Sequence, residues 1–427
     1  MLDTLRNAWR VPELRKKLLY TFFMLLVFRL VSQIPCPGTS SIAELGGTEG
    51  LLSNGLLSLM NMMNGSALSQ MSIMAMGINP YINASIIMQL LCIAIPALER
   101  LSKDGGEEGK KKINRITRYM TVGLAVLQAI GIISTLQNSY GMVSAGYQNF
   151  GGYLLIGVVM AGGTALAMWI GERITENGIG NGVSLLIFAG IIANLFTGYS
   201  NAISKLFTNF AEGIAPFLVL LFITLLFIVV ITFVDSAERR IPVQYAKRVV
   251  GRKMYGGQST YIPMKVLSVG VLPLIFAYSF MAFPTTIAGF FGTNSGFYKW
   301  CNSNLSNGSL LYIVICAVLI VAFAYFYTAI TFNPQDIAKN VQQQGGNIQG
   351  IRPGQATVNF LSRTSTRLTL FAGLFLAILA TVPSAIPSSL ISIPFGASSI
   401  MIAVSVALET VRAVEAQLVM RNYKGFL

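Results

Sequence analysis

The stretch GIAPFLVLLFITLLFIVVITFV, residues 213–234, carries no charged side chain and is followed at once by Asp235. As a helix, a run of this length rises about 33 Å, enough to cross a hydrocarbon core about 30 Å thick. Working outward, comparable runs lie near 18–34, 73–97, 117–137, 151–171, 182–199, 266–291, 309–331, 368–387 and 395–418. Ten candidate spans result. No small-residue cleavage site closes the first run, which therefore reads as a retained span. The composition agrees: 54% of the 427 residues are apolar and 11% charged, against about 25% charged in a soluble domain.

A net charge of +14 would point to nucleic acid in a soluble protein, but here it is first a topology signal. Ten spans place both termini on one side. That side holds 27 of the 30 Lys and Arg residues, all but Arg29, Lys205 and Lys299. The positive-inside rule predicts that both termini are cytoplasmic. The chain then divides into an N-terminal segment 1–17, a half 18–200, a half 201–418 and a tail 419–427. The large cytoplasmic segments are 99–116, 235–265 and 333–367, and the last is long enough to expect a function. Outside, residues 35–71 carry apolar pieces broken by Gly and Asn, too long for a turn and too interrupted to span. A re-entrant or partly inserted segment fits, provided protein or water meets its backbone. An ordinary external loop with a surface helix is the alternative.

Catalysis has little to stand on. The chain has no histidine, which removes the usual general base and the commonest metal ligand. Cys36, Cys92, Cys301 and Cys316 are scattered without metal spacing, and neither a disulfide nor a cofactor site is expected. Gly105-Gly106-Glu107-Glu108-Gly109-Lys110 fails as a phosphate loop, because its spacing is one short and Lys111 stands where Ser or Thr belongs. Glu172, Asp235, Glu409 and Arg412 fall at helix ends, where interfacial solvation explains them.

Four motifs appear in order along the chain. They are Met76-Gly77-Ile78-Asn79-Pro80-Tyr81-Ile82-Asn83-Ala84-Ser85-Ile86-Ile87-Met88-Gln89-Leu90-Leu91; Gly171-Glu172-Arg173-Ile174-Thr175-Glu176-Asn177-Gly178-Ile179-Gly180-Asn181-Gly182; Tyr245-Ala246-Lys247-Arg248 through Gln258-Ser259-Thr260; and Gly350-Ile351-Arg352-Pro353-Gly354. With the ending Tyr423-Lys424-Gly425-Phe426, they resemble the SecY family, the channel-forming subunits of bacterial protein translocation.

The resemblance implies an all-α membrane protein of ten spans in two inverted, pseudo-symmetric five-helix halves, shaped as an hourglass channel with a plug helix. It implies passage of unfolded secretory proteins through the waist and lateral release of membrane segments between the second, third, seventh and eighth spans. A conduit for arbitrary polypeptide needs a narrow apolar gasket that dewets when empty. The family's gasket maps to Ile82, Ile86, Ile187, Ile191, Ile275 and Ile402. Ile82/Ile86 and Ile187/Ile191 are i,i+4 pairs, each facing one way from its helix. The plug, a short helix, falls on Gly65, Ser66, Ala67, Leu68, Ser69, Gln70, Met71, Ser72, Ile73 and Met74.

Polar residues in apolar spans, Asn83, Ser85, Gln89, Gln128 and Ser279, mark a lateral gate. There they form either a weak hydrogen-bonded latch or static packing contacts. Arg239, Arg240, Lys247, Arg248, Arg252, Lys253 and Arg352 would dock the ribosome and the SecA motor ATPase, while anionic lipid is the simpler partner for generic basic loops. The same resemblance implies SecE and SecG as partner subunits, with signal-bearing preproteins and nascent membrane proteins as cargo, and no enzymatic activity. A solute transporter built on inverted repeats, which would need buried coupling charges, and a passive membrane scaffold are the competing readings.

Overall fold

The computed structural model describes residues 6, 8–41, 61, 63–103, 105–208, 210–245, 248–250, 253–255, 259–268, 270–290, 295–305, 309–385 and 397–424. Each of the ten apolar runs lies on a helix. These are α1 (Pro12–Val31), α2 (Asn79–Ala94), α4 (Gly106–Tyr140), α5 (Phe150–Asn177), α6 (Gly182–Thr208), α7 (Phe210–Ser236), α8 (Leu272–Phe290), α10 (Leu310–Thr331), α12 (Gln355–Ala385) and α13 (Ala397–Lys424). The shorter helices α3 (Pro96–Lys103), α9 (Gly296–Asn304) and α11 (Pro334–Gln343) connect them. Six of the described helices are long and apolar enough to cross a membrane, and the bent pair α2–α3 makes a seventh if taken as one span.

Two boundaries differ from expectation for physical reasons. The second span begins at Asn79 rather than 73, with Pro80 in its first turn, and breaks at Ile95, where α3 turns away by 106°. Sixteen helical residues rise only about 24 Å, so buried turns at 64–78 complete the depth. Irregular backbone is tolerated at such depth only where protein covers it. The expected 99–116 loop is instead mostly helix, because α4 runs on for 35 residues. Charge does not stop a helix; Glu107–Lys110 and Glu108–Lys112 pairs support its first turns. Hydropathy marks where lipid ends, not where backbone hydrogen bonding ends.

The packing repeats in two halves. In the first, α2 packs on α4, α4 on α5, α5 on α6, and α1 closes against α6. The second repeats this with α8 on α10, α10 on α12, α12 on α13, and α7 against α13. The halves meet along two seams. At one, α6 packs on α7 and α13, and only residue 209 separates α6 from α7 along the chain. At the other, α8 packs on α2 and α4 without a chain connection there.

The reversal 171–182 shows why its glycines are needed. A Cβ on Gly182 would collide with the Gly171 carbonyl oxygen, and one on Gly178 with Thr21 and Ile174. Thr175 Oγ1 accepts from the Gly182 N–H at 2.9 Å, and Thr21 Oγ1 on α1 accepts from Ile179 N–H at 3.2 Å. Asn181 Oδ1 then accepts from Val183 N–H at 3.0 Å and opens α6.

Candidate functional site

All six candidate gasket isoleucines are buried, none above 8% exposed, and all belong to one apolar cluster. Ile82 and Ile86 come from α2, Ile187 and Ile191 from α6, Ile275 from α8 and Ile402 from α13. Two helices of each half therefore converge there. Met74, Ile78, Leu274 and Met401 join the same cluster.

Residues 65–74 form turns rather than the expected short helix; helical residues 61 and 63 precede them, and 42–60 lie outside the described residues. The reason is local. Gly65, Ser66, Met71 and Gly77 all have positive φ, which no α-helix accepts. The segment is pinned to its surroundings instead. Cys36 N–H donates to Met71 O at 2.8 Å and Ile73 N–H to Ile34 O at 2.9 Å. Leu68 and Met71 sink into a second apolar cluster with Ile133 and Leu136 of α4 and Ile156 and Met160 of α5. Ala67, Leu68, Met71, Ser72 and Met74 are buried, while Ser66, Ser69, Gln70 and Ile73 are half-buried.

Of the candidate gate residues, Asn83 and Gln128 are buried and Ser85, Gln89 and Ser279 half-buried, on α2, α4 and α8, whose helices meet at the open seam. Of the two readings left open, latch or static packing contacts, the latch has no hydrogen bond behind it here: among the described residues no side-chain hydrogen bond joins any two of these five. Asn83 Oδ1 and Asn79 Nδ2, one turn apart on α2, are buried with no hydrogen-bond partner among the described residues. Aromatic edges join α8 to α10 instead, with Phe276 and Phe280 both set against Phe323 at ring separations of 6.0 and 6.2 Å.

The two large basic segments are one structure. Strand β1 (Glu238–Tyr245) pairs antiparallel with β4 (Ser259–Lys265) and, on its other edge, with β5 (Gly346–Ile348), so Val243 faces both Thr260 and Ile348. A small core of Ile241, Val243, Met264, Ala338, Val341, Ile348 and Leu361 binds the sheet to α11 and the start of α12. Arg239 and Arg240 are exposed on β1 and Arg352 is exposed just beyond β5. Arg240 donates through Nε to Glu238 Oε1 at 2.6 Å and lies 4.8 Å from the Tyr261 ring centre. The Glu238 hydrogen bond holds its pKa above the ordinary guanidinium value. Arg248 and Lys253 lie on the short strands β2 (Arg248–Val250) and β3 (Lys253–Tyr255), which pair with each other. Lys247 and Arg252 fall outside the described residues.

Sequence reasoning missed two ion pairs. Arg118 of α4 clamps Glu172 of α5 with two contacts of 2.8 Å, Nε to Oε1 and Nη2 to Oε2. Arg412 of α13 lies 3.0 Å from Asp235 Oδ2 and also donates to the Asp235 carbonyl at 3.2 Å. These carboxylates are therefore paired, not merely solvated; opposite charges at helix ends were the available signal. Lys17 Nζ donates to Gln417 Oε1 at 3.5 Å, so the start of α1, the end of α13, the end of α7 and the sheet gather at one end of the bundle. All four cysteines are free thiols, and no cluster of potential metal ligands exists among the described residues.

Two helical halves closing around a buried isoleucine cluster, with a covered segment of turns on one side and a basic sheet on the other, have the architecture of a polytopic membrane channel. The fold matches "The structure of a protein conducting channel" with a TM-score of 0.70 at 19% identity, over 94% of this chain and 92% of that one. It also matches Sec61 in the canine ribosome-channel complex from the endoplasmic reticulum, with a TM-score of 0.63 at 17% identity and coverage of 94% and 92%. The SecY family model matches residues 72–411. The protein translocase subunits SecY of Streptomyces galbus and Halalkalibacterium halodurans are 44% and 41% identical to it, each over the whole of both chains. The chain belongs to the SecY family.

Proposed function

We propose that this chain is the protein-conducting channel of a bacterial plasma-membrane translocase, a passive pore and not an enzyme. One observation carries the reading: six isoleucines from two helices of each half meet in a single buried apolar cluster. A substrate presenting every side-chain type favours a lining that forms no hydrogen bonds with it, and an empty apolar constriction dewets and seals. In this reading the six side chains form the waist and residues 65–74 the plug. The seam of α8 with α2 and α4 is the lateral gate, because the opposite seam is closed by the α6–α7 chain connection.

The charge distribution supports cytoplasmic termini. The β4-β1-β5 sheet, with Arg239, Arg240 and Arg352, then faces the cytoplasm as a docking surface for the SecA motor or a ribosome. SecE and SecG complete the complex. The polar side chains Asn83, Ser85, Gln89, Gln128 and Ser279 line the gate as sites an entering signal helix satisfies, not as a latch.

The test is crosslinking of a stalled secretory precursor to cysteines placed at Ile82 and Ile191. Adducts that appear only with a translocating chain are expected. Their absence, alongside uptake of a small solute, would leave the transporter reading standing instead.

A further inference from the structure

Arg29 breaks the charge pattern of the sequence, and its place in the fold gives it a task. It lies in the last turn of α1, half-buried. A helix C-terminus favours a cation, but that alone does not explain where the side chain reaches. Arg29 Nη1 donates to the Gly65 carbonyl at 3.3 Å. Gly65 and Ser66 are consecutive left-handed residues, φ 64° and 67°, at the tip of a tight turn. The other side of that turn is held by α6. Ser66 Oγ donates to Asn194 Oδ1, and Asn194 Nδ2 donates to Asn61 O at 3.2 Å. Between these grips lies Gly190, where a Cβ would run into the Met63 carbonyl oxygen and crowd the Gly65 nitrogen. Ile187, Gly190, Ile191 and Asn194 follow the i, i+3, i+4, i+7 spacing of one helix face, so the seat lies directly beside two of the waist isoleucines.

We propose that the Gly190 notch, flanked by Arg29 and Asn194, is a clasp whose grip on Asn61, Met63, Gly65 and Ser66 sets how readily the channel unseals; the inference rests on the channel reading above. The three residues are positioning residues for the plug. At this turn the contact is backbone seated on a bare helix surface with exchangeable hydrogen bonds, and Met63 packs beside it on the isoleucine cluster. When an entering chain wets the funnel, water can replace each bond, and Arg29 is hydrated rather than left as an orphaned charge. A seal of this kind is firm when dry and weak when wet.

Gly190→Ala tests it, because Ala favours the helix while its methyl group unseats the turn. Gly162→Ala on α5 is the control, since nothing lies within 4 Å of a Cβ there. The chain would be reconstituted with its partner subunits in chloride-loaded vesicles. Several-fold faster resting chloride efflux is expected for Gly190→Ala and Asn194→Ala, and wild-type efflux for Gly162→Ala. Gly190→Ala vesicles as tight as wild type overturn the clasp. A second variant carries Ser66→Cys and Asn194→Cys, with the four native cysteines changed to Ala. Its oxidised form should stall precursor translocation and recover on reduction; unimpeded translocation while crosslinked also overturns the clasp. Wild-type vesicles that move no precursor when supplied with the motor and ATP overturn the channel reading itself, before any variant is compared.

Discussion

At the scale of the residue, the ion pairs at the basic end of the bundle carry consequences that composition hides. The Asp235 side chain is 8% exposed and that of Arg412 36%, so the pair is shielded on one side only. Breaking a fully buried pair costs about 3–5 kcal/mol, and solvent at Arg412 reduces this to about 1–2 kcal/mol. Asp235→Asn should lower the unfolding temperature in detergent by about 1–2 °C. Adding Arg412→Gln should cost little more, because the two losses are one interaction. Cys36 behaves oppositely to a reactive surface thiol. Burial pushes its pKa up to about 11. The thiolate therefore forms only as pH climbs toward that value, and maleimide labelling of folded protein should stay slow from pH 7 to 9. Rapid labelling at pH 7 would mean that the 34–36 and 71–73 segments separate in solution. Sequence placed both Asp235 and Arg412 at helix ends, but nothing in their spacing, 177 residues apart, announces that they touch.

At the scale of the element, the corner between α3 and α4 shows how a rejected motif is explained by geometry. The glycines of the run 105–109 let two helices cross backbone to backbone. A Cβ on either Gly105 or Gly109 would collide with the Leu101 carbonyl oxygen. Gly109→Ala should force the corner open and lower thermal stability, whereas Gly123→Ala, mid-helix in α4 with no neighbour within 4 Å, should not. Comparing the two melting temperatures separates close packing from helix propensity. The second span makes a related point. Its hydropathy runs from 73 to 97, yet Gly77 at φ 54° and Pro80 fix the helix start near Asn79. Periodicity sees apolar character equally in a helix and in a buried turn, so only backbone conformation separates them.

At the scale of the whole molecule, β1 is the central strand of a sheet whose two edges come from different loops. Val243 is fully buried there. Val243→Asp should dismantle the small core and release both loops, abolishing motor-stimulated translocation while leaving the buried isoleucine cluster intact. Arg352→Glu should weaken docking alone, with the sheet preserved. Limited proteolysis distinguishes the two: new cleavage within 238–265 and 346–348 is expected for Val243→Asp and not for Arg352→Glu. Arg352 left unaffected in both precursor transport and motor stimulation would remove it from the docking surface.

The sequence by itself determined the helical class, the ten apolar runs and the segregation of charge to one end. Each of these is a local or additive property, set by transfer of side chains to lipid and by the cost of moving lysine and arginine across it. The family motifs singled out the six clustered isoleucines, but their residue type did not, since isoleucine suits lipid, core and pore alike. Only the tertiary structure decided which isoleucines meet, that 65–74 is a pinned turn rather than a helix, and that two distant loops share one sheet. Those facts depend on backbone conformation and on contacts between residues far apart in the chain, which no window of hydropathy or charge contains. Arg29 joins the two levels. In sequence it is an exception to the charge pattern; in the fold it is the side chain that reaches the turn.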